Sequence, residues 1–294
     1  MKKIGIDFPS HADVIQDCCD GIIKNTDLKE RLKSAKFIMS NSFDDYSNKA
    51  ILQELYSIEG YSISKDIDPT VISKLLHSEL TYIYTNFFAK IGKPARQVYD
   101  KIMVNAKGKC PYCGIGSPIE LDHYLPKSKF PQFSIFPLNL VPSCERCNKS
   151  GKANSFAKNK NEQILHPYLD NDFYYNECWI SAVVESYGDR DIVINYHIKP
   201  PISWDKISKD RVETHFNTFK LKERYSISAG EELSTLIPQI ASMKMRGNSV
   251  NDVCEVLLNP VIDTRNISKN HWKRVMYIAV KNHIQTQKSL DEFI

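Results

Sequence analysis

Two Cys-x-x-Cys pairs constrain this 294-residue chain more than any other feature of its sequence. The first pair, Cys110 and Cys113, lies in CPYCG, and the second, Cys144 and Cys147, lies in CERCN after thirty intervening residues. Four thiolates at this spacing suit a tetrahedral Zn²⁺ site, which is structural because no coordination position is left for a substrate. The sequence therefore predicts a zinc-clamped loop that holds the residues between the two pairs.

Composition favours metal binding over disulfide bonding for these cysteines. The N-terminal segment lacks the apolar stretch of a secretory signal, and no run approaches the ~18 apolar residues of a membrane span. We therefore expect a cytoplasmic protein without membrane association, in whose reducing environment paired cysteines bind metal. The other four cysteines lack ligand spacing and are expected to be buried or unremarkable thiols: Cys18, Cys19, Cys178 and Cys254.

Side chains suited to phosphodiester hydrolysis lie between the cysteine pairs and directly after them. Asp122 and His123 end a predicted strand, Asn139 follows sixteen residues after His123, and Asn148 follows the second pair. A phosphodiesterase needs a base that deprotonates water and a hard divalent cation that stabilises the transition state. Because neighbouring strand residues point to opposite faces, one of Asp122 and His123 can hold metal while the other addresses water.

The order of these residues resembles the HNH endonuclease family. The matching stretches are LDHYLPKS, which contains Asp122 and His123, and NLVPSCERCNKSGK, which begins at Asn139. The resemblance implies a ββα-metal fold in which His123 is the general base and Asn139 fixes the loop and orients that histidine. It also implies that Asp122 and Asn148 bind a catalytic Mg²⁺ or Mn²⁺, since asparagine at the last position is a known variant of the family.

Basic residues concentrate around the cysteine pairs. Residues 101–160 carry ten Lys or Arg against three Asp or Glu, a local charge of +7 in a chain whose net charge is +4. Such a field favours polyanions, because lysines that neutralise phosphates release condensed counterions. We expect Lys149 and Lys152, on the helix of the ββα unit, to contact a phosphate of the cut strand, and Lys127 to do the same. The alternative for each lysine taken singly is a solvated surface residue.

His166, in the stretch ILHPYLD, allows two interpretations. More distant members of the family carry a Pro-containing motif here, so a histidine at this position can reach the catalytic metal or a phosphate. Alternatively, His166 and Pro167 end the domain and pack against the zinc loop.

The hydrophobic pattern predicts an α+β protein in three regions. Residues 1–98 are expected to be a helical region, 99–175 the HNH ββα-metal nuclease domain, and 176–294 a hairpin followed by helices. In the first region, apolar residues at helical spacing predict one helix that begins near Thr26 and another from Ile72 to Ile91.

The last region alternates between apolar and polar residues before it becomes helical. The stretch WISAVVESYGDRDIVINYHI predicts a β-hairpin that turns at Gly188-Asp189. Ser228 and Glu231 have the spacing of a capping box and predict the start of a helix that Pro238 should kink. A final helix is expected to hold four apolar residues: Trp272, Val275, Ile278 and Ala279.

These features favour a metal-dependent endonuclease that hydrolyses nucleic acid, with DNA the preferred substrate. The order of motifs and the helical flanks also resemble the HNH effector subunits of Septu and retron-type anti-phage systems, which work beside an ATPase partner. That resemblance implies a role in phage defence or restriction and a possible ATPase partner subunit. Two alternatives stay open: an RNA-directed nuclease, and a zinc-ribbon nucleic-acid-binding or adaptor subunit that does not cleave.

Overall fold

The computed structural model describes residues 1–61, 67–152, 155–187, 191–265 and 267–290. The chain divides into two compact units, one formed by Lys2–Asn171 and the other by Asp172–Ile294 together with Met1. Both units contain helices and antiparallel strands, which confirms the α+β class. The three-region boundaries expected from the sequence stay a prediction.

The first unit combines helices with two short hairpins. In chain order its helices and strands are α1 (His11–Gly21), α2 (Thr26–Ile51), β1 (Thr70–Ile72), β2 (Leu75–Leu76), α3 (His77–Ile83), α4 (Arg96–Asn105), β3 (Glu120–His123) and β4 (Leu140–Ser143).

Helix α2 confirms the helix predicted to begin near Thr26. The Asn25 side chain caps it by accepting a hydrogen bond from the Leu28 amide at 3.0 Å. Its buried residues recur every three or four positions and so form one apolar face. They are Leu28, Leu32, Ala35, Met39, Phe43, Tyr46 and Ala50.

The helix predicted from Ile72 to Ile91 is wrong at its start. The chain forms the β1–β2 hairpin there, with Ser73 in the left-handed region at φ 53°, and α3 begins only at His77. The Asp68 carboxylate accepts a hydrogen bond from the Ser78 amide and thereby supports the first turn of α3. A π-helical turn, Tyr84–Phe88, then ends the helical segment before Ile91.

Strands β3 and β4 form an antiparallel hairpin joined by a long connection, residues 124–139, which we call the histidine loop. Asp122 pairs with Val141 and His123 pairs with Leu140. Aromatic side chains of the loop pack on α2: the Phe136 ring stacks on Phe43 with centroids 4.3 Å apart. Burial of such rings contributes a few kcal/mol each, so the loop is anchored to the N-terminal helices.

The second unit contains a longer hairpin and further helices. In chain order its helices and strands are α5 (Phe173–Asn176), β5 (Ile180–Tyr187), β6 (Asp191–Ile198), α6 (Lys206–Thr218), α7 (Leu221–Met245), α8 (Val250–Val253), α9 (Asn259–Ile262) and α10 (Trp272–Gln287).

Strands β5 and β6 confirm the predicted hairpin, whose Gly188-Asp189 turn lies outside the described residues. Helix α10 confirms the final predicted helix. The capping box predicted at Ser228 is wrong, because α7 begins seven residues earlier at Leu221 and runs through Pro238 to Met245. Residues that favour a cap are compatible with a helix interior when tertiary packing supports the helix on both sides.

The cysteines outside the two pairs behave as expected. Cys18, Cys19 and Cys254 are buried and Cys178 is exposed, all as free thiols. Among the described residues, no helix is both long and apolar enough to cross a membrane.

Candidate functional site

The four paired cysteines come together in the first unit. Their sulfur atoms all lie within 4.8 Å of one another and all four residues are buried. Each pair is folded into a tight turn: the Gly114 amide donates to the Cys110 carbonyl at 2.7 Å, and the Cys147 amide donates to the Cys144 carbonyl at 3.0 Å. Gly114 has φ 71°, a conformation that glycine adopts without strain.

The spacing and chemistry of these sulfurs fit a tetrahedral zinc ion. Sulfurs bound at about 2.3 Å from Zn²⁺ lie about 3.8 Å apart along each tetrahedral edge, and Cys113 Sγ lies 3.8 Å from Cys144 Sγ. Neighbouring thiols lower the pKa of Cys144 to about 6 and raise the pKa of Cys110 well above its usual value. A divalent cation supplies the positive charge that allows four clustered thiolates to coexist.

Asp122 is a buried carboxylate with a cation beside it. Only 4% of the residue is exposed. The Tyr112 hydroxyl lies 3.4 Å from Oδ2, and the Lys152 ammonium lies 3.4 Å from Oδ1. Burial raises the pKa of Asp122, while Lys152 and Tyr112 oppose that shift. The carboxylate therefore sits where a positive charge is strongly stabilising.

Lys152 was expected to contact a phosphate, but the structure directs its ammonium into the protein. The residue is 3% exposed, and Nζ donates to the backbone carbonyl of His123 as well as lying beside Asp122. Burial lowers the pKa of Lys152, and the Asp122 carboxylate opposes that change. In this structure Lys152 balances the charge of Asp122.

His123 follows Asp122 on β3 and has different partners. Its Nε2 lies 2.9 Å from the Ser134 carbonyl oxygen, which can only accept, so Nε2 carries the proton and Nδ1 carries the lone pair. The Tyr84 ring contacts the imidazole edge-on, with centroids 4.5 Å apart. Burial, followed by the charge of Lys127, lowers the pKa of His123 to about 3. The imidazole is therefore neutral at neutral pH.

Asn139 ties together the two ends of the histidine loop. Its Oδ1 accepts from the Leu125 amide at 2.7 Å, and its Nδ2 donates to the carbonyls of Leu125 at 3.1 Å and Phe133 at 3.2 Å. The side chain is fully buried. Phe133 directly precedes Ser134, whose carbonyl receives the His123 hydrogen bond. Asn139 thus contacts the loop rather than the imidazole itself.

The remaining candidates lie around this cluster. Asn148 is half-buried on a π-helical turn, Arg146–Lys152, that follows β4, and its amide donates to the Cys144 carbonyl at 3.1 Å. Lys149 is exposed and pairs with Glu145 at 3.0 Å. Lys127 is half-buried, with Nζ 4.7 Å from the centroid of the Tyr84 ring.

His166 is buried with both ring nitrogens engaged. Nδ1 accepts from the amides of Tyr168 and Leu169, each at 3.3 Å, and Nε2 lies 3.1 Å from the Tyr46 hydroxyl. These bonds hold the imidazole inside the protein, and both interpretations of His166 stay predictions.

Sequence reasoning missed three residues that contact the candidate site. Tyr112 lies inside the first cysteine pair, where its position beside the ligands was a usable signal. Ser134 and Tyr46 carried no such signal, because Ser134 acts through its backbone carbonyl and Tyr46 lies 93 residues from Asn139 in the chain.

Comparison with known proteins gives two relatives. The chain is 33% identical to Septu protein PtuB of Bacillus thuringiensis over 111 residues, which cover 35% of this chain and 41% of that protein. No family model matches the chain, and no solved structure gives a significant match. The chain is also 30% identical to protein ea31 of Escherichia phage lambda, with 96% of this chain and 97% of ea31 aligned. Because that match extends over nearly all of both proteins, the chain belongs to the family of the phage lambda protein ea31.

Proposed function

We propose that this protein is a metal-dependent endonuclease of the HNH type that hydrolyses phosphodiester bonds, with DNA as the favoured substrate. The observation that carries the proposal is the state of His123. Its Nε2 proton is committed to the Ser134 carbonyl, which leaves the Nδ1 lone pair as the proton acceptor of the ring. A neutral imidazole of fixed tautomer is the form that a general base requires.

The residues around His123 then have defined tasks. Nδ1 accepts a proton from the attacking water, while the hydrogen bond to Ser134 disperses the positive charge that develops on the ring. Asp122 and Asn148 supply hard oxygen donors that would hold Mg²⁺ or Mn²⁺. When bound, such an ion stabilises negative charge on the phosphate and on the leaving oxygen.

The donor set around Asp122 fits a cation. Its buried carboxylate is paired with the Lys152 ammonium at 3.4 Å, so a bound Mg²⁺ or Mn²⁺ would take the place of that ammonium. The order of the β3–β4 hairpin and the helical turn Arg146–Lys152 supports the proposed ββα-metal unit. The zinc site beside it would hold the hairpin and the turn together, because Cys144 directly follows β4 and Cys147 lies in the turn.

Contacts to the substrate would come from the basic surface of the region. Lys149 is exposed and Lys127 is half-buried, so both can approach phosphate oxygens. Phosphate contacts position a nucleic acid without reading its bases, so we expect little sequence preference from this site alone.

The relatives suggest the biological setting. Partial similarity to a Septu protein supports a role in defence against phage, and with it a partner subunit, which we propose to be an ATPase. The family of this chain includes a protein of phage lambda, so a phage-encoded setting is the second one that the relatives suggest.

A substrate panel tests the proposal. Supercoiled plasmid, linear duplex, single-stranded DNA and structured RNA are incubated with Mg²⁺ or Mn²⁺ and wild type or His123→Ala, each with its zinc content measured. We expect metal-dependent cleavage by wild type and loss of cleavage in the variant at equal zinc content. If the protein binds nucleic acid but does not cleave it, also after the proteins encoded by the neighbouring genes are added, the result favours the adaptor function. Cleavage of RNA alone would identify an RNA-directed nuclease.

A further inference from the structure

Helix α2 places a buried hydroxyl group in the centre of the first unit. The Tyr46 oxygen lies 3.1 Å from His166 Nε2 and 3.1 Å from Asn139 Oδ1, and Tyr46 itself is fully buried. No part of Tyr46 is accessible to a substrate, so any effect it has on chemistry acts through these two partners.

The hydrogen bonds of this group have a single consistent direction. His166 Nδ1 accepts from two backbone amides, so the ring proton is on Nε2 and is donated to the Tyr46 oxygen. The Tyr46 hydroxyl is then the donor to Asn139 Oδ1. That amide oxygen also accepts from Leu125, while Nδ2 donates to two carbonyls, so the orientation of the Asn139 amide is fully determined.

The chain of contacts continues to His123. Asn139 holds the Phe133 carbonyl, and the next residue, Ser134, supplies the carbonyl that accepts the His123 Nε2 proton at 2.9 Å. Ser134 is held a second time, because its Oγ donates to the Leu80 carbonyl of α3 at 2.9 Å. Helices α2 and α3 therefore both restrain the carbonyl that sets the tautomer of His123.

We propose that Tyr46 and His166 are positioning residues: they lock the Asn139 amide and, through the histidine loop, hold the Ser134 carbonyl against His123. The inference rests on the proposed function, for which it names two further residues. It also gives the N-terminal helices a role in the site, since Tyr46 belongs to α2. An error of about 1 Å in the placement of a reacting group can cost about 100-fold in rate.

Tyr46→Phe is the variant that tests this role. It keeps the ring that packs on Phe133 and Phe136, and it removes only the hydroxyl. Tyr196→Phe is the matched control: Tyr196 is also fully buried, and its hydroxyl donates to the Trp272 carbonyl at 2.9 Å in the second unit. His166→Gln provides a second variant in case Tyr46→Phe does not fold.

Two readouts separate positioning from mere packing. In cleavage assays we expect Tyr46→Phe to lower kcat about tenfold to 100-fold with KM and zinc content unchanged, since Tyr46 does not reach the substrate. In ¹⁵N NMR of the imidazole, wild type and Tyr196→Phe should show His123 as the single Nε2–H tautomer, and Tyr46→Phe should show a mixture.

The outcomes are decisive in each case. A mixture of His123 tautomers together with reduced kcat supports the proposal. An unchanged tautomer and unchanged kcat in Tyr46→Phe, with a loss of stability equal to that of Tyr196→Phe, would overturn it. If wild type cleaves nothing, the NMR comparison still decides on the positioning role: a mixture of tautomers in Tyr46→Phe supports it and a single tautomer overturns it. The nuclease function is judged separately by the substrate panel.

Discussion

The two units each contain an antiparallel hairpin, and the two hairpins differ in what they bury. In β3–β4, seven of the eight strand residues are buried, and they include both Asp122 and His123. In β5–β6, the strands are twice as long and fewer of their residues are buried: on β6, Val193 is 40% exposed, whereas Ile194 and Tyr196 are buried.

The difference shows what a short polar hairpin needs in order to be stable. Burying a polar group costs free energy unless it is hydrogen-bonded. The buried polar groups of β3 have partners from the turn of the first cysteine pair, the histidine loop and the turn after β4. The long hairpin instead relies on its backbone ladder and one apolar face. The first hairpin therefore depends on side-chain partners for its buried polar groups, whereas the second depends mainly on backbone pairing and apolar packing.

Removal of zinc should have the largest effect and should distinguish the hairpins. Structural zinc contributes on the order of 10 kcal/mol to folding, so a chelator, or Cys113→Ser, should unfold β3–β4 and its surroundings. Hydrogen exchange read by mass spectrometry should show loss of protection in β3–β4 while β5–β6 stays protected. Metal analysis of untreated protein should give about one zinc per chain. A folded protein without zinc would contradict this account.

Asn139→Ala should have the next largest effect. It removes a fully buried side chain and leaves three backbone groups of the histidine loop without their partner, each at a cost of about 1 kcal/mol or more. We expect a loss of about 3 kcal/mol in urea denaturation. The control is Asn195→Ala on β6, where a half-buried amide bonds Glu185 and the expected loss is below about 1 kcal/mol. Equal losses would show that the two hairpins do not differ in this respect.

Asn270→Ala should produce an intermediate effect confined to the second unit. The Asn270 side-chain oxygen, Oδ1, accepts from the amides of Trp179 and Ile180 at 2.8 and 3.1 Å, where β5 begins. We expect a loss of about 2 kcal/mol, detected as faster hydrogen exchange in β5. Zinc content and cleavage should not change, and a drop in either would mean that the long hairpin also supports the site.

Glu79→Gln should have the smallest effect and should depend on pH. Arg31 on α2 donates two hydrogen bonds of 2.6 Å to Glu79 on α3, and this pairing lowers the pKa of Glu79. A carboxylate with a lowered pKa stabilises the fold above its ordinary pKa, and that stability is lost as the pH falls through the lowered value. The variant should lose about 1 kcal/mol at pH 7 and show a much smaller difference in acid. A difference independent of pH would exclude this charge effect.

The sequence predicted those parts of the molecule that depend on local pattern. The cysteine pairs, the face of α2 and the β5–β6 hairpin follow from spacing and periodicity, and all three are present in the structure. The helix start at Ile72 was wrong because an apolar run at helical spacing does not reveal a residue such as Ser73 in the left-handed region.

The candidate site was predictable only in part, for a different reason. The order of residues along the chain singled out Asp122, His123 and Asn139, whose catalytic roles stay predictions. Their supporting groups act through backbone carbonyls or across long separations, as Tyr46 does from 93 residues away. The burial of Lys152 could not be predicted either. A lysine near a cysteine pair looks the same in the sequence whether its ammonium points to solvent or to a buried carboxylate.

A matched pair of histidine variants tests the central claim most directly. His123 and His197 each lie on a strand of one hairpin, the first buried and the second exposed. On the substrate that wild type cleaves best, single-turnover rates are measured for His123→Ala and His197→Ala at equal zinc content. The account predicts that His123→Ala loses about 100-fold or more and that His197→Ala keeps the wild-type rate. Cleavage by folded, zinc-containing His123→Ala at the wild-type rate would contradict it.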